Sequence, residues 1–133
     1  MIPKLTNLQA LGGPEIEKLT AKKFNKLLTY QRPLVLTGNS VVVWNLSKGY
    51  NVELTLTTNK SLFFEQLTPG DYGTIKLIQD ATGSRTLTLP VNSKVAGGGA
   101  GVLTLSTSPN AIDIATFYYD GLNLFWNISL NFN

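Results

Sequence analysis

The sequence predicts an all-β fold: an antiparallel β-sandwich, jelly-roll-like, of about eight or nine strands with a short N-terminal helical arm. Three observations carry the prediction. After Pro33, apolar and polar residues alternate with a period of two through much of the chain. Clusters of Gly, Asn, Asp and Pro interrupt that alternation about every ten residues, the rhythm of strands joined by tight turns. The 133 residues are 43% hydrophobic and only 14% charged, and Thr, Asn, Ser, Gly and Leu are prominent, a composition that favours strands over helices or disorder.

The length suits one domain with a real core and a terminal extension. The reading divides the chain into an arm, residues 1–32, and a β-domain, residues 33–133. In the arm, Gly12-Gly13-Pro14 precedes a helical spacing that sets Ile16, Leu19, Phe24, Leu27 and Leu28 on one side, with Glu15, Lys18, Lys22 and Lys26 elsewhere. The helix runs unbroken or restarts at Thr20, an N-cap residue. It ends before Arg32-Pro33, because the residue ahead of a proline is pushed out of the helical region. A helix this short needs a surface for its apolar stripe, either its own β-domain or another subunit.

Strands follow in order. Leu34 to Leu36 and Val41 to Trp44 are short apolar runs separated by Gly38-Asn39. Val52, Leu54 and Leu56 alternate with Glu53, Thr55 and Thr57, one face buried and one wet. Leu62-Phe63-Phe64 comes next, and Pro69-Gly70-Asp71 turns the chain into Thr74 to Gln79. Asp80 to Gly83 turns it again into Thr86 to Leu89, closed by Pro90. Residues 94–101, with Gly97-Gly98-Gly99-Ala100-Gly101, predict a mobile loop. Val102 to Leu105 reads as a strand, and Ile112 to Tyr119 and Leu124 to Phe132 as a hairpin about Asp120-Gly121. No internal repeat at solenoid periods is visible, which sets repeat architectures aside.

The composition narrows the chemistry. With neither Cys nor His, the thiol nucleophile, the commonest general base and the commonest transition-metal ligand are all missing. The expectation is a protein without catalytic residues, cofactor or metal. Asp71, Asp80 and Asp120 sit beside glycines in turns, where Asp bonds the backbone. Glu53 and Asp113 fall on the polar side of alternating strands, leaving Glu65 without an obvious structural task. The glycines at 97–101 lack the Lys-Ser/Thr pair and the helix of a phosphate loop. Residues 1–32 hold six Lys/Arg against two Glu, whereas the remainder holds five against six acids. Such a diluted basic arm fits an acidic protein surface, and no nucleic-acid partner is expected. The N-terminus has no basic-then-apolar leader, and no apolar stretch approaches a bilayer-spanning length, so neither export nor membrane insertion is expected.

Aromatics are the remaining candidates. Trp44, Phe117, Tyr119 and Phe125 suit core faces, while Tyr118 and Trp126 have the opposite parity on the same strands. Tyr118 and Trp126 are therefore the candidate contacts to an oligomeric partner or ligand, with Tyr72 a further stacking platform for sugars.

Several stretches resemble a module recurrent in tailed-phage virion proteins, similar to the ends of tail fibres and head fibres. They are Val43 to Gly49, Val52 to Leu56, Gly73 to Pro90, and Asn110 to Ile114 continuing through Tyr119-Asp120-Gly121. The core of the resemblance is Gln79-Asp80-Ala81-Thr82-Gly83, then Arg85-Thr86-Leu87-Thr88, and it extends from about Gly38 to Phe132. Leu19 to Asn25 also looks like a segment found near the starts of phage fibre domains. The resemblance implies a β-sandwich, usually a homotrimer, with no catalytic residues to transfer. Gln79 to Gly83 is turn chemistry, and Arg85 can pair with Asp80 or Asp113.

Because no repetitive shaft is present, a small head or tail decoration protein is more natural than a complete receptor-binding fibre. The functional expectation is a virion protein assembled in the host cytoplasm, self-associating and docking on capsid or tail proteins. The docking candidates are Ile16, Leu19, Lys22, Lys23, Phe24 and Leu27. The alternative is a module adhering to a host-surface glycan.

Overall fold

A computed structural model describes residues 32–98 and 101–133. The predicted helix of the arm therefore lies outside the described residues, which include only Arg32 of the arm. Within them the fold is all-β, with nine strands: β1 (Leu34–Val35), β2 (Val41–Asn45), β3 (Asn51–Leu56), β4 (Lys60–Glu65), β5 (Tyr72–Gln79), β6 (Leu87–Thr88), β7 (Ser93–Val95), β8 (Ile112–Tyr119) and β9 (Leu124–Ser129).

The strands form a six-stranded sheet in the order β1-β3-β5-β8-β9-β7 and a three-stranded sheet in the order β2-β4-β6. The expected antiparallel arrangement is corrected here. Only β5 with β8 and β8 with β9 pair antiparallel; the other five pairings are parallel. From β1 to β6 the chain alternates between the two sheets, so each strand lies beside the one two places earlier. A parallel pair needs a crossover of a dozen or more residues, and a strand of the opposite sheet supplies it here in place of a helix. The backbone thus winds in coils that no sequence repeat announces. Alternation reports which face is buried and is silent on strand direction.

The two sheets share one core. Val52, Leu54, Leu56, Ile75, Leu77, Ala115, Phe117 and Trp126 from the larger sheet join Val42, Trp44, Leu62 and Leu87 from the smaller. Phe117 meets Trp44 edge-on at 5.1 Å between ring centroids and Trp126 at 5.4 Å. Both buried indoles are satisfied: Trp44 Nε1 donates to the Gly49 carbonyl at 2.8 Å, and Trp126 Nε1 to Ser93 Oγ at 3.1 Å. Gly73 makes room for Trp44, since a Cβ there would stand 2.8 Å from the indole ring.

Smaller departures have local causes. Val102 to Leu105 forms no strand beyond a bridge between Thr88 and Val102, yet Leu103 and Leu105 are buried. The segment expected to be a loop from residue 94 opens as β7, and Gly98 N–H closes a turn on Val95 O at 3.0 Å. The last strand stops at Ser129. Asn131, two residues on, has a positive φ of 60° and donates its N–H to Asp113. Lys60 is buried, its ammonium donating to the carbonyls of Gly38 and Asn39.

Candidate functional site

The residues that face outward on the larger sheet are set by register. Tyr72 lies opposite Tyr118, Tyr118 opposite Phe125, and Phe125 opposite Lys94. Directly opposed residues share a face, so three rings line up across β5, β8 and β9. Tyr50, just ahead of β3, extends the row by stacking on Tyr72, centroids 6.0 Å apart and planes 21° from parallel. Tyr72 is 66% exposed, Tyr118 51%, and Tyr50 and Phe125 each 42%. The next outward row is polar: Asn51 opposite Thr74, Thr74 opposite Thr116, and Thr116 opposite Asn127. Beyond it Glu53 lies opposite Lys76 in a half-exposed ion pair at 3.6 Å.

At the other end of β5 the chain is clasped. Gln79 is buried, its Nε2 donating to Arg85 O at 2.9 Å and Ser106 O at 3.0 Å, and its Oε1 accepting from Arg85 N–H at 2.9 Å. Asp80 Oδ1 accepts from the N–H groups of Thr82 and Gly83, and its Oδ2 from Arg85. Of the two acids open to Arg85, Asp80 is therefore the partner, at 2.9 Å. The Arg85 hydrogen bond and then the Gly83 N–H hold the Asp80 carboxyl below its ordinary range. The glycine at 83 is required, because φ is 78° and a Cβ would fall 2.4 Å from Thr107 O.

Asp113 does not lie on the polar side of its strand. It is 2% exposed and in phase with the buried Ala115 and Phe117, accepting from Ser106 N–H at 2.7 Å, Ser106 Oγ at 2.6 Å and Asn131 N–H at 2.9 Å. Those three donors replace the water that alternation assigns to it. Asp71 and Asp120 serve turns as expected, and the N–H groups of Asn123 and Leu122 hold the Asp120 carboxyl below its ordinary range. Among the described residues no group of three or more acids is placed to hold a metal.

The sequence candidates divide. Tyr118 and Tyr72 stand exposed, as expected. Trp126 is only 1% exposed and touches the core ring of Phe117, so it is unavailable to a partner, and Phe125 takes the outward place. The hairpin explains the exchange. A four-residue connection, 120–123, sets Tyr119 opposite Leu124, which puts Trp126 opposite the buried Phe117 and Phe125 opposite Tyr118. Counting across that connection from Phe117 is the signal that would have found it. Ile16, Leu19, Lys22, Lys23, Phe24 and Leu27 lie outside the described residues.

A second exposed feature surrounds the opening strands. Each stands at the edge of its sheet, β1 and β2, and Val35, Val41, Val43 and Phe63 project there, from 42% to 62% exposed. Val43 lies opposite Phe63, and Val43 shares with Val35 a groove of about 270 Å³ that also takes in Lys48 and Glu65.

One family model, described as "Putative phage tail fibre C-terminal domain", matches residues 36–124, about two thirds of the chain. The match opens after β1 and reaches the first residue of β9, taking in Tyr72 and Tyr118. No curated protein and no solved structure matches the chain.

Proposed function

We propose that this chain, which belongs to the phage tail fibre C-terminal domain family, is a non-catalytic tail module that self-associates, as a homotrimer, through the edge strands β1 and β2 and the adjoining outer face of β4. The family supports a virion component on the tail in preference to a head decoration. The observation that carries the self-association is the cluster Val35, Val41, Val43 and Phe63 beside the outer edges of β1 and β2, which pair with no further strand among the described residues. Contiguous exposed apolar side chains next to an open edge are what a soluble protein normally avoids unless another surface covers them. In this reading residues 1–32 join the module to other virion proteins through the apolar stripe and basic charge of Ile16, Leu19, Lys22, Lys23, Phe24 and Leu27, during assembly in the bacterial cytoplasm. Light scattering on the full chain and on Phe63→Glu tests it. A trimer reduced to a monomer by Phe63→Glu is the expected result, and a monomeric wild-type protein refutes it. The aromatic row favours a second role for the same module, adhesion to a host-surface glycan.

A further inference from the structure

Resting on that second role, the geometry points to a specific site: Tyr50, Tyr72, Tyr118 and Phe125 are a stacking platform for the pyranose rings of an extended polysaccharide, and the neighbouring polar row binds its hydroxyls. The platform is built by register, since Tyr72, Tyr118 and Phe125 occupy directly opposed positions on three adjacent strands. Strand spacing makes those three positions span roughly 10 Å, long enough for a short run of sugar units. A pyranose presents a C–H face to an aromatic ring and hydroxyls around its rim, and this surface offers both partners in that order.

The polar row decides between a sugar and a second protein copy. Asn51, Thr74, Thr116 and Asn127 lie roughly 7 Å along the strands from the rings, within reach of the hydroxyls of a stacked sugar. None of the four side chains makes a hydrogen bond among the described residues. An apolar protein surface laid over the rings would bury those hydroxyls and amides without partners, at a cost. A saccharide supplies the missing donors and acceptors. No carboxylate interrupts either row, and Lys94 closes the far end as a further donor.

The test is affinity electrophoresis of the full chain through gels containing dextran, galactomannan, alginate or a bacterial O-polysaccharide. Tyr72→Ala, Tyr118→Ala and Tyr118→Phe are run beside wild type, with solution mass and circular dichroism recorded for each. The expected result is retardation by at least one of these polymers, weakened about tenfold by either alanine change and retained by Tyr118→Phe, with mass and spectrum unchanged. Retardation by none of them, or retardation indifferent to both alanine changes, overturns the proposal. A fall in oligomeric mass in Tyr72→Ala or Tyr118→Ala also overturns it, because the row would then be a subunit contact. Loss of the trimer in Phe63→Glu with sugar binding intact separates this site from the self-association edge.

Discussion

Replacing Gln79 tests whether the Gln79 to Arg85 stretch is a structural clasp. Gln79→Ala removes three hydrogen bonds and leaves Arg85 N–H, Arg85 O and Ser106 O without their partner. An unpaired buried polar group costs about 1–3 kcal/mol. These three backbone groups lie where water can partly replace Gln79, so the low end applies to each and the loss sums to about 3 kcal/mol. For a chain of this size that lowers Tm by roughly 10 °C. Gln79→Glu sharpens the test because it keeps the volume and the acceptor for Arg85 N–H. It sets an oxygen where Nε2 faced two carbonyls, so it should destabilise at least as much as alanine at neutral pH. Repulsion raises the folded-state pKa of the introduced carboxyl, so the deficit relative to wild type shrinks as pH falls toward about 4 and one O–H donor returns. Trp44 and Trp126 are buried, so their fluorescence reports unfolding in a thermal or urea series. Melting of both variants within about 2 °C of wild type would refute the clasp.

Asp80→Asn keeps the acceptor for the turn and removes the charge facing Arg85. The lowered folded-state pKa of Asp80 means that its contribution is present above its unfolded value and lost as pH falls below about 4. Urea midpoints across the acid range should therefore fall less steeply for the variant, and identical slopes would show the pair to be inert. Trp126→Ala should cost about 3–5 kcal/mol while Phe125→Ala costs under about 1 kcal/mol; equal losses in urea unfolding would contradict the assigned faces. Gly73→Ala should cost about 1–3 kcal/mol, by pushing a methyl against Trp44, with a changed near-ultraviolet dichroism, and an unaltered spectrum and midpoint would count against the tight approach.

The legible part of the sequence is the part that alternation encodes. Val52, Leu54 and Leu56 are buried as their spacing requires, with Glu53 and Thr55 on the other face, and the hairpin at Asp120-Gly121 forms. Strand direction was not legible, because a parallel and an antiparallel partner ask the same period of a half-buried strand. The burial of Asp113 is not legible either, because a carboxylate in phase with Ala115 and Phe117 looks like a solvent residue until Ser106 and Asn131 arrive from elsewhere in the chain. Trp126 and Phe125 are adjacent aromatics that carry no parity of their own, and only the register of the neighbouring strand decides which faces inward.

That dependence on register links the clasp to the aromatic row. Gln79 and Asp80 tie the end of β5 to the segment that leads into β8: Gln79 N–H bonds Ala111 O, Asn110 N–H bonds Asp80 O, and Ser106 bridges Gln79 and Asp113. Those bonds set where β8 starts along β5, and the hairpin passes the same register to β9. Tyr72, Tyr118 and Phe125 stand roughly 23 Å away, at the opposite end of β5. A slip of one residue between β5 and β8 would turn Tyr118 inward and expel Phe117 from between Trp44 and Trp126. The turn chemistry at Gln79 to Arg85 touches no candidate ligand, yet it is what aligns the exposed rings.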